Sequence, residues 1–149
     1  MDIPDLSTRA TDLPAARVQY DDLGGIGDNK CKFREGIYKV VNQGGTEFIY
    51  KEPISPPDIK SLTNEIESLV LLTGCENIIR LHALVISANP YITVSKIPSP
   101  PVVRGILLQY AAQGSLGELL RTKSLEISWS QRMSWGYSNH LWSASNSQC

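Results

Sequence analysis

Two short β-like runs, followed at once by a helical pattern, most strongly limit the folds that this chain can adopt. The runs GIYKVV and EFIYK are rich in β-branched and aromatic residues, and NQGGT between them supplies the asparagine and glycines that a tight reversal needs. This pattern predicts a β-hairpin. After the breaker PISPP, apolar residues recur at spacings of three and four, which predicts a helix from Asp58 to Leu72. The apolar residues of this helix are Ile59, Leu62, Ile66, Leu69 and Val70.

The segments after this helix predict two further strands and a short helix. NIIRLHALVIS and RGILLQY read as strands that should be neighbours in one sheet, joined by a proline-rich loop. In GSLGELL, Ser115 and Glu118 have the spacing of a capping box at a helix start. With a first strand near Val18, the chain is predicted to be α+β, with an antiparallel sheet of about five strands and one main helix.

Composition limits the setting and the partners. The 149 residues are enough for one domain with a core, and the net charge of −1 provides no attraction to nucleic acid. Three widely spaced cysteines without a C-x-x-C pair suggest neither a disulfide framework nor a zinc site. No apolar run has the length of a signal peptide or a membrane span. We therefore expect an intracellular protein, cytoplasmic or nuclear, with no nucleic-acid or membrane partner.

Four segments in register resemble one family. Lys51 in FIYK resembles the lysine of a V-A-I-K strand, and Glu65 in NEIESLVLL resembles the helix glutamate that pairs with it. The segments ENIIRLHALV and GILLQYAAQGSLGELL are similar to the strand, hinge and helix that follow. Together they resemble the small lobe of a protein kinase, from about Gly36 to Met133. The implied organisation is a disordered lead-in at 1–17, a partial kinase domain at 18–135 with small lobe, hinge and the start of the large lobe, and an irregular tail at 136–149.

The resemblance implies that ATP is the cofactor. Lys51 would contact the α and β phosphates and pair with Glu65. Helical geometry supports the pairing. Glu65 lies on the flank of the apolar stripe of the predicted helix, so its side chain can extend toward the sheet, whereas Glu67 is expected to face solvent. Leu108 takes the gatekeeper place. The backbone groups of Gln109 and Ala111 take the adenine-binding place.

An apolar slot for the base would be formed by Ile37, Ile49 and Leu108. Ile49 stands where the family usually has alanine, so the slot is expected to be narrower than in the family.

The phosphate loop departs from the family pattern. Glycines should precede GIYKV, because glycine lets backbone N–H groups close over phosphates. The expected positions instead hold Lys30, Lys32 and Glu35. The candidate LGGIGD, with Gly24, Gly25 and Gly27, lies several residues earlier. It is open at this point to two interpretations, a shifted phosphate loop or an ordinary turn.

The catalytic and magnesium-binding motifs of the family are missing from the sequence. It contains no aspartate after Asp58, and no H-R-D, D-F-G or A-P-E. No catalytic residue and no metal site can therefore be assigned, and phosphate transfer is not expected. The predicted function is a truncated, ATP-binding relative of kinases that act on protein Ser/Thr or Tyr hydroxyls. The alternative is a non-catalytic, pseudokinase-like interaction module. Apolar surface near the hinge, which the large lobe would cover in a whole kinase, predicts self-association or a protein partner.

Overall fold

The computed structural model describes residues 14–75, 78–89, 100–122 and 127–135. The chain divides into two compact units, Met1–Tyr110 and Ala111–Cys149, and the division falls within the segment predicted as a hinge. The elements in chain order are β1 (Ala16–Gln19), a 3₁₀ turn (Tyr20–Asp22), β2 (Lys32–Arg34), β3 (Ile37–Val41), β4 (Glu47–Lys51), α1 (Pro56–Leu71), β5 (Leu81–Ser87), β6 (Val102–Gln109), α2 (Leu116–Thr122) and α3 (129–135).

The first unit contains one six-stranded sheet in the order β1-β5-β6-β4-β3-β2. The predicted α+β class is correct, and β5 and β6 are neighbours as predicted. The sheet is mixed, however, so the prediction of an antiparallel sheet of about five strands was wrong. The difference is β1, which pairs in parallel with β5. A parallel pair needs a long connection, and more than 60 residues separate these strands along the chain.

The predicted hairpin is β3 and β4. The reversal begins at Asn42, whose N–H donates to the Thr46 carbonyl at 3.0 Å and whose side-chain oxygen accepts from the Thr46 N–H at 2.9 Å. Gly45 has φ +80°, a conformation that glycine adopts without steric cost. The NQGGT segment therefore fixes the register, in which Ile37 pairs with Lys51.

Helix α1 begins two residues before the predicted start. Ser55 is still extended, with φ −145° and ψ 159°, and Pro56 takes the first helical position, where its missing N–H costs no hydrogen bond. Asp58 lies in the first turn and accepts a hydrogen bond from Ser55 Oγ at 2.5 Å. The buried residues of α1 are four members of the predicted stripe, Ile59, Leu62, Ile66 and Leu69.

Both faces of the sheet are covered by apolar side chains. On one face the α1 stripe packs with Leu84, Val103, Ile106 and Leu108. On the other face a second cluster contains Tyr38, Val40, Phe48, Tyr50, Ala83, Val85 and Leu107. Residues of the N-terminal segment, Val18, Tyr20, Leu23 and Ile26, join this second cluster. The segment before β2 is therefore a structural layer, because it covers a face that would otherwise be exposed.

Strand β1 begins at Ala16, two residues inside the predicted lead-in. The rest of that prediction at 1–13, and the predicted tail at 136–149, lie outside the described residues. In the second unit, the Glu118 N–H donates to Ser115 Oγ at 3.1 Å, which confirms this bond of the predicted capping box. No helix within the described ranges is both long and apolar enough to cross a membrane.

Candidate functional site

Lys51 and Glu65 form the ion pair predicted from the sequence. Lys51 is the last residue of β4, and its Nζ donates to Glu65 Oε2 on α1. The two side chains are 29% and 31% exposed, so the pair lies at the edge of the helix–sheet interface rather than in the core. Glu67, which was expected to face solvent, is partly buried.

The three predicted slot residues share a sheet face with Lys51. Ile37 is opposite Lys51 across the β3–β4 pair, and Ile49 is opposite Leu108 across the β4–β6 pair. Ile49 is also two residues before Lys51, so their side chains point to the same face. Both Ile49 and Leu108 pack in the cluster that includes α1. The register therefore brings an apolar surface and an ammonium group onto one side of the sheet.

Two backbone groups of the segment predicted as a hinge are already engaged in hydrogen bonds within the chain. The Gln109 N–H donates to the Arg80 carbonyl at 3.1 Å, and the Ala111 carbonyl accepts from the Gly114 N–H at 3.1 Å. Gly114 has φ +76°, a conformation that glycine adopts without steric cost. Ala111 belongs to the second unit. The Gln109 N–H and the Ala111 carbonyl are thus both used within the chain, and Gln109 also pairs with Phe48 in the β4–β6 ladder.

The glycine candidates Gly25 and Gly27 are not brought to Lys51. They form a turn in which the Asp28 N–H donates to the Gly25 carbonyl at 3.2 Å. Adjacent Gly24 forms an isolated bridge with Val41, which is at the opposite end of the hairpin from the Ile37–Lys51 pair. This geometry favours the interpretation of LGGIGD as an ordinary turn.

A different glycine lies beside Lys51. Gly36, in the β2–β3 turn, has φ +72°, and its carbonyl accepts from the Glu52 N–H at 2.9 Å. A Cβ there would come within 2.7 Å of the Glu52 carbonyl oxygen and 2.8 Å of Ile54 Cγ2. The turn therefore packs closely on the segment after Lys51. In the sequence Gly36 stands at the start of the β-like run GIYKVV, and that local pattern does not indicate this contact.

A cavity of about 420 Å³ lies between this turn, the end of β4 and the start of α1. Its charged lining residues are Arg34, Glu35, Lys51, Glu52 and Asp58. Apolar lining comes from Ile37, Ile54 and Leu62, among others. Two residues assigned by the resemblance, Lys51 and Ile37, are thus in the wall of one cavity with opposite charges around them.

Glu52 connects this cavity to the second apolar cluster, on the other face of the sheet. It accepts a hydrogen bond from the buried Tyr50 hydroxyl at 2.9 Å, and Arg104 Nη2 is 3.9 Å from its carboxylate. Burial, followed by the charge and hydrogen bond of Glu52, raises the pKa of Tyr50 far above its usual value. Arg104 also lies over the Tyr20 ring, 4.7 Å from its centroid. Glu52 is therefore held by groups from β4 and β6, and Arg104 in turn contacts the N-terminal segment.

A second lysine, Lys39, which no sequence motif singles out, is opposite Ile49 across the β3–β4 pair. Its ammonium is 2.6 Å from Glu47 and lies over the Tyr110 ring at 4.9 Å. The hydrogen bond to Glu47 is the main cause that raises the pKa of Lys39. Lys39 lies next to the predicted apolar slot because of the register between β3 and β4. The alternation of side chains along a single strand does not reveal that register.

Comparison with protein-family models, with curated proteins and with solved structures gives no significant match. Among the described residues, no group of three or more His, Cys, Asp or Glu side chains is placed to hold a metal ion.

Proposed function

We propose that this chain is an ATP-binding domain of the protein kinase type, in which Lys51 and Glu65 form the phosphate-side ion pair. The observation that carries the proposal is that ion pair. In protein kinases a lysine on the third strand and a glutamate on the following helix must be paired for phosphoryl transfer. When β1 is set aside, β4 is the third strand, it ends at Lys51, and the next helix carries Glu65.

The shared sheet face adds support. Ile37 and Ile49 are partly exposed on the same side of the sheet as the Lys51 ammonium, which is the combination of apolar surface and cation that an adenine nucleotide requires. Leu108 lies beside Ile49 on that side and is buried against α1. The sequence has no aspartate after Asp58, so the groups that orient a hydroxyl and hold magnesium in the family are not supplied by these 149 residues. The proposed activity of this chain is nucleotide binding without phosphate transfer.

The test is the effect of ATP on unfolding of the full chain, with and without magnesium. At an ATP concentration of about one hundred times Kd, binding would raise the free energy of unfolding by about 2.7 kcal/mol. Lys51→Met should abolish the effect. Lys60→Met is the matched control, because Lys60 is exposed on α1 and does not line the cavity. No effect of ATP on the wild type, or an equal effect on Lys51→Met, would refute the proposal.

A second candidate is a pseudokinase-like interaction module that acts on Ser/Thr or Tyr signalling only through protein contacts. It is favoured by the β2–β3 turn, which brings the Glu35 carboxylate to the cavity wall where a phosphate loop would otherwise be. Phe33, 60% exposed on edge strand β2, offers an apolar contact. This candidate predicts no response to ATP, together with self-association in sedimentation experiments that weakens in Phe33→Ser.

A further inference from the structure

Arg34 is a charged residue of the cavity wall that the proposed function does not use. It is the last residue of β2, it is exposed, and it forms no ion pair with any other described residue. The carboxylates of the wall are compensated. Glu35 is 2.5 Å from Lys32 Nζ, and Glu52 is held by Tyr50 and Arg104.

Asp58, the remaining carboxylate of the wall, is stabilised locally. It accepts from Ser55 Oγ and lies in the first turn of α1, where the unpaired amides of a helix favour negative charge. Arg34 therefore has a guanidinium group available to a ligand in the cavity.

The strand register places Arg34 and Lys51 on either side of Ile37. Arg34 is opposite Ile37 across the β2–β3 pair, and Ile37 is opposite Lys51 across the β3–β4 pair. Neighbouring strands are about 4.8 Å apart, so the two backbone positions are about 10 Å apart. The β2–β3 register is irregular between Lys32 and Arg34, so the placement of Arg34 rests on the cavity itself, which Arg34, Ile37 and Lys51 all line. The cavity thus has a cation at each side and an apolar residue between them.

We propose that Arg34 and Lys51 form a two-point site for the phosphates of a nucleoside triphosphate, with the Arg34 side chain serving at the β2–β3 turn. This inference rests on the proposed function. A guanidinium binds phosphate oxygens through a planar fork of N–H donors, and such charge-assisted hydrogen bonds are stronger than neutral ones. Gly36 is the one glycine of the β2–β3 turn, and it already packs closely on Glu52 and Ile54. Phosphate recognition at this turn therefore comes from a side chain.

The experiment is calorimetric titration of the full chain with ATP, adenosine and inorganic triphosphate. Arg34→Gln should weaken ATP binding by at least about tenfold, as expected for a lost charge-assisted hydrogen bond. Adenosine binding should not change, because it has no phosphates. Arg34→Lys, which keeps the charge but loses the fork, should lose less than Arg34→Gln. Lys30→Gln is the control for net charge, because Lys30 is exposed near β2 and outside the cavity wall.

The outcomes separate this inference from the proposed function. Loss of ATP binding in Lys51→Met, with wild-type affinity in Arg34→Gln, overturns the role of Arg34 and leaves the proposed function intact. Equal weakening by Lys30→Gln and Arg34→Gln also overturns it, since a general field would then explain the effect. If ATP does not bind but triphosphate binds and requires Arg34, the proposed function fails and the phosphate site stands. If neither ligand binds, both fail. The melting temperature of ligand-free Arg34→Gln should match the wild type, which checks folding.

Discussion

Substitution of Gly105 by alanine tests how closely β4 and β6 pack behind Lys51. Gly105 is within β6, and an added Cβ would be 2.3 Å from the Lys51 carbonyl oxygen and 2.8 Å from Tyr50 Cε2. Real Cβ atoms essentially never approach closer than 3.0 Å, so the carbonyl must move. The Tyr50 ring is fully buried and has no route into solvent. The strain must therefore be relieved by separating the two strands.

The expected cost is about 2 to 3 kcal/mol in the free energy of unfolding, the upper part of the range for overpacked cores, because one of the clashing atoms is backbone. Urea unfolding followed by circular dichroism would measure it. Gly24→Ala is the control, because a Cβ there meets only the Val41 carbonyl oxygen at 3.8 Å. That variant should remain within about 0.5 kcal/mol of the wild type.

Gly105→Ala should also weaken any effect of ATP, because the backbone that carries Lys51 moves. A Gly105→Ala variant that unfolds within 0.5 kcal/mol of the wild type, on the scale of a neutral surface change, would refute the close packing of β4 on β6.

Two further predictions concern charged and titrating groups. A double-mutant cycle with Lys51→Met and Glu65→Gln should give a coupling of at most about 1 kcal/mol, because both side chains are about 30% exposed; a coupling of about twice that size would contradict this. Burial and Glu52 raise the pKa of Tyr50, so the folded state keeps its proton at a pH where the unfolded state loses it. The resulting stability is present below about pH 10 and is lost as pH rises further, by up to about 1.4 kcal/mol per pH unit. Urea unfolding from pH 8 to 11 should therefore show a smaller alkaline loss in Tyr50→Phe, and equal slopes for the two proteins would show that Tyr50 is not responsible.

Local patterns in the sequence determined the hairpin and the main helix. β4 has the predicted bounds Glu47–Lys51, and α1 differs from its prediction by two residues at the start and one at the end. Alternation and helical spacing are properties of neighbouring residues, so they can be read without knowing the rest of the fold. The Lys51–Glu65 contact was predicted from the resemblance to protein kinases, with support from the helical spacing that puts Glu65 on the flank of the apolar stripe.

Only the tertiary structure decided which strands pair and which glycines lie close to Lys51. The parallel pairing of β1 with β5 depends on residues more than 60 positions apart, and nothing in Ala16–Gln19 by itself selects that partner. LGGIGD had the composition of a phosphate loop, yet the bridge from Gly24 to Val41 put it at the far end of the hairpin from Lys51. Gly36 and Gly105 owe their close contacts to residues on or just after β4, and the role proposed for Arg34 depends on a residue of β3. Such contacts are set by the register and packing of the whole sheet, and a one-dimensional pattern does not contain them.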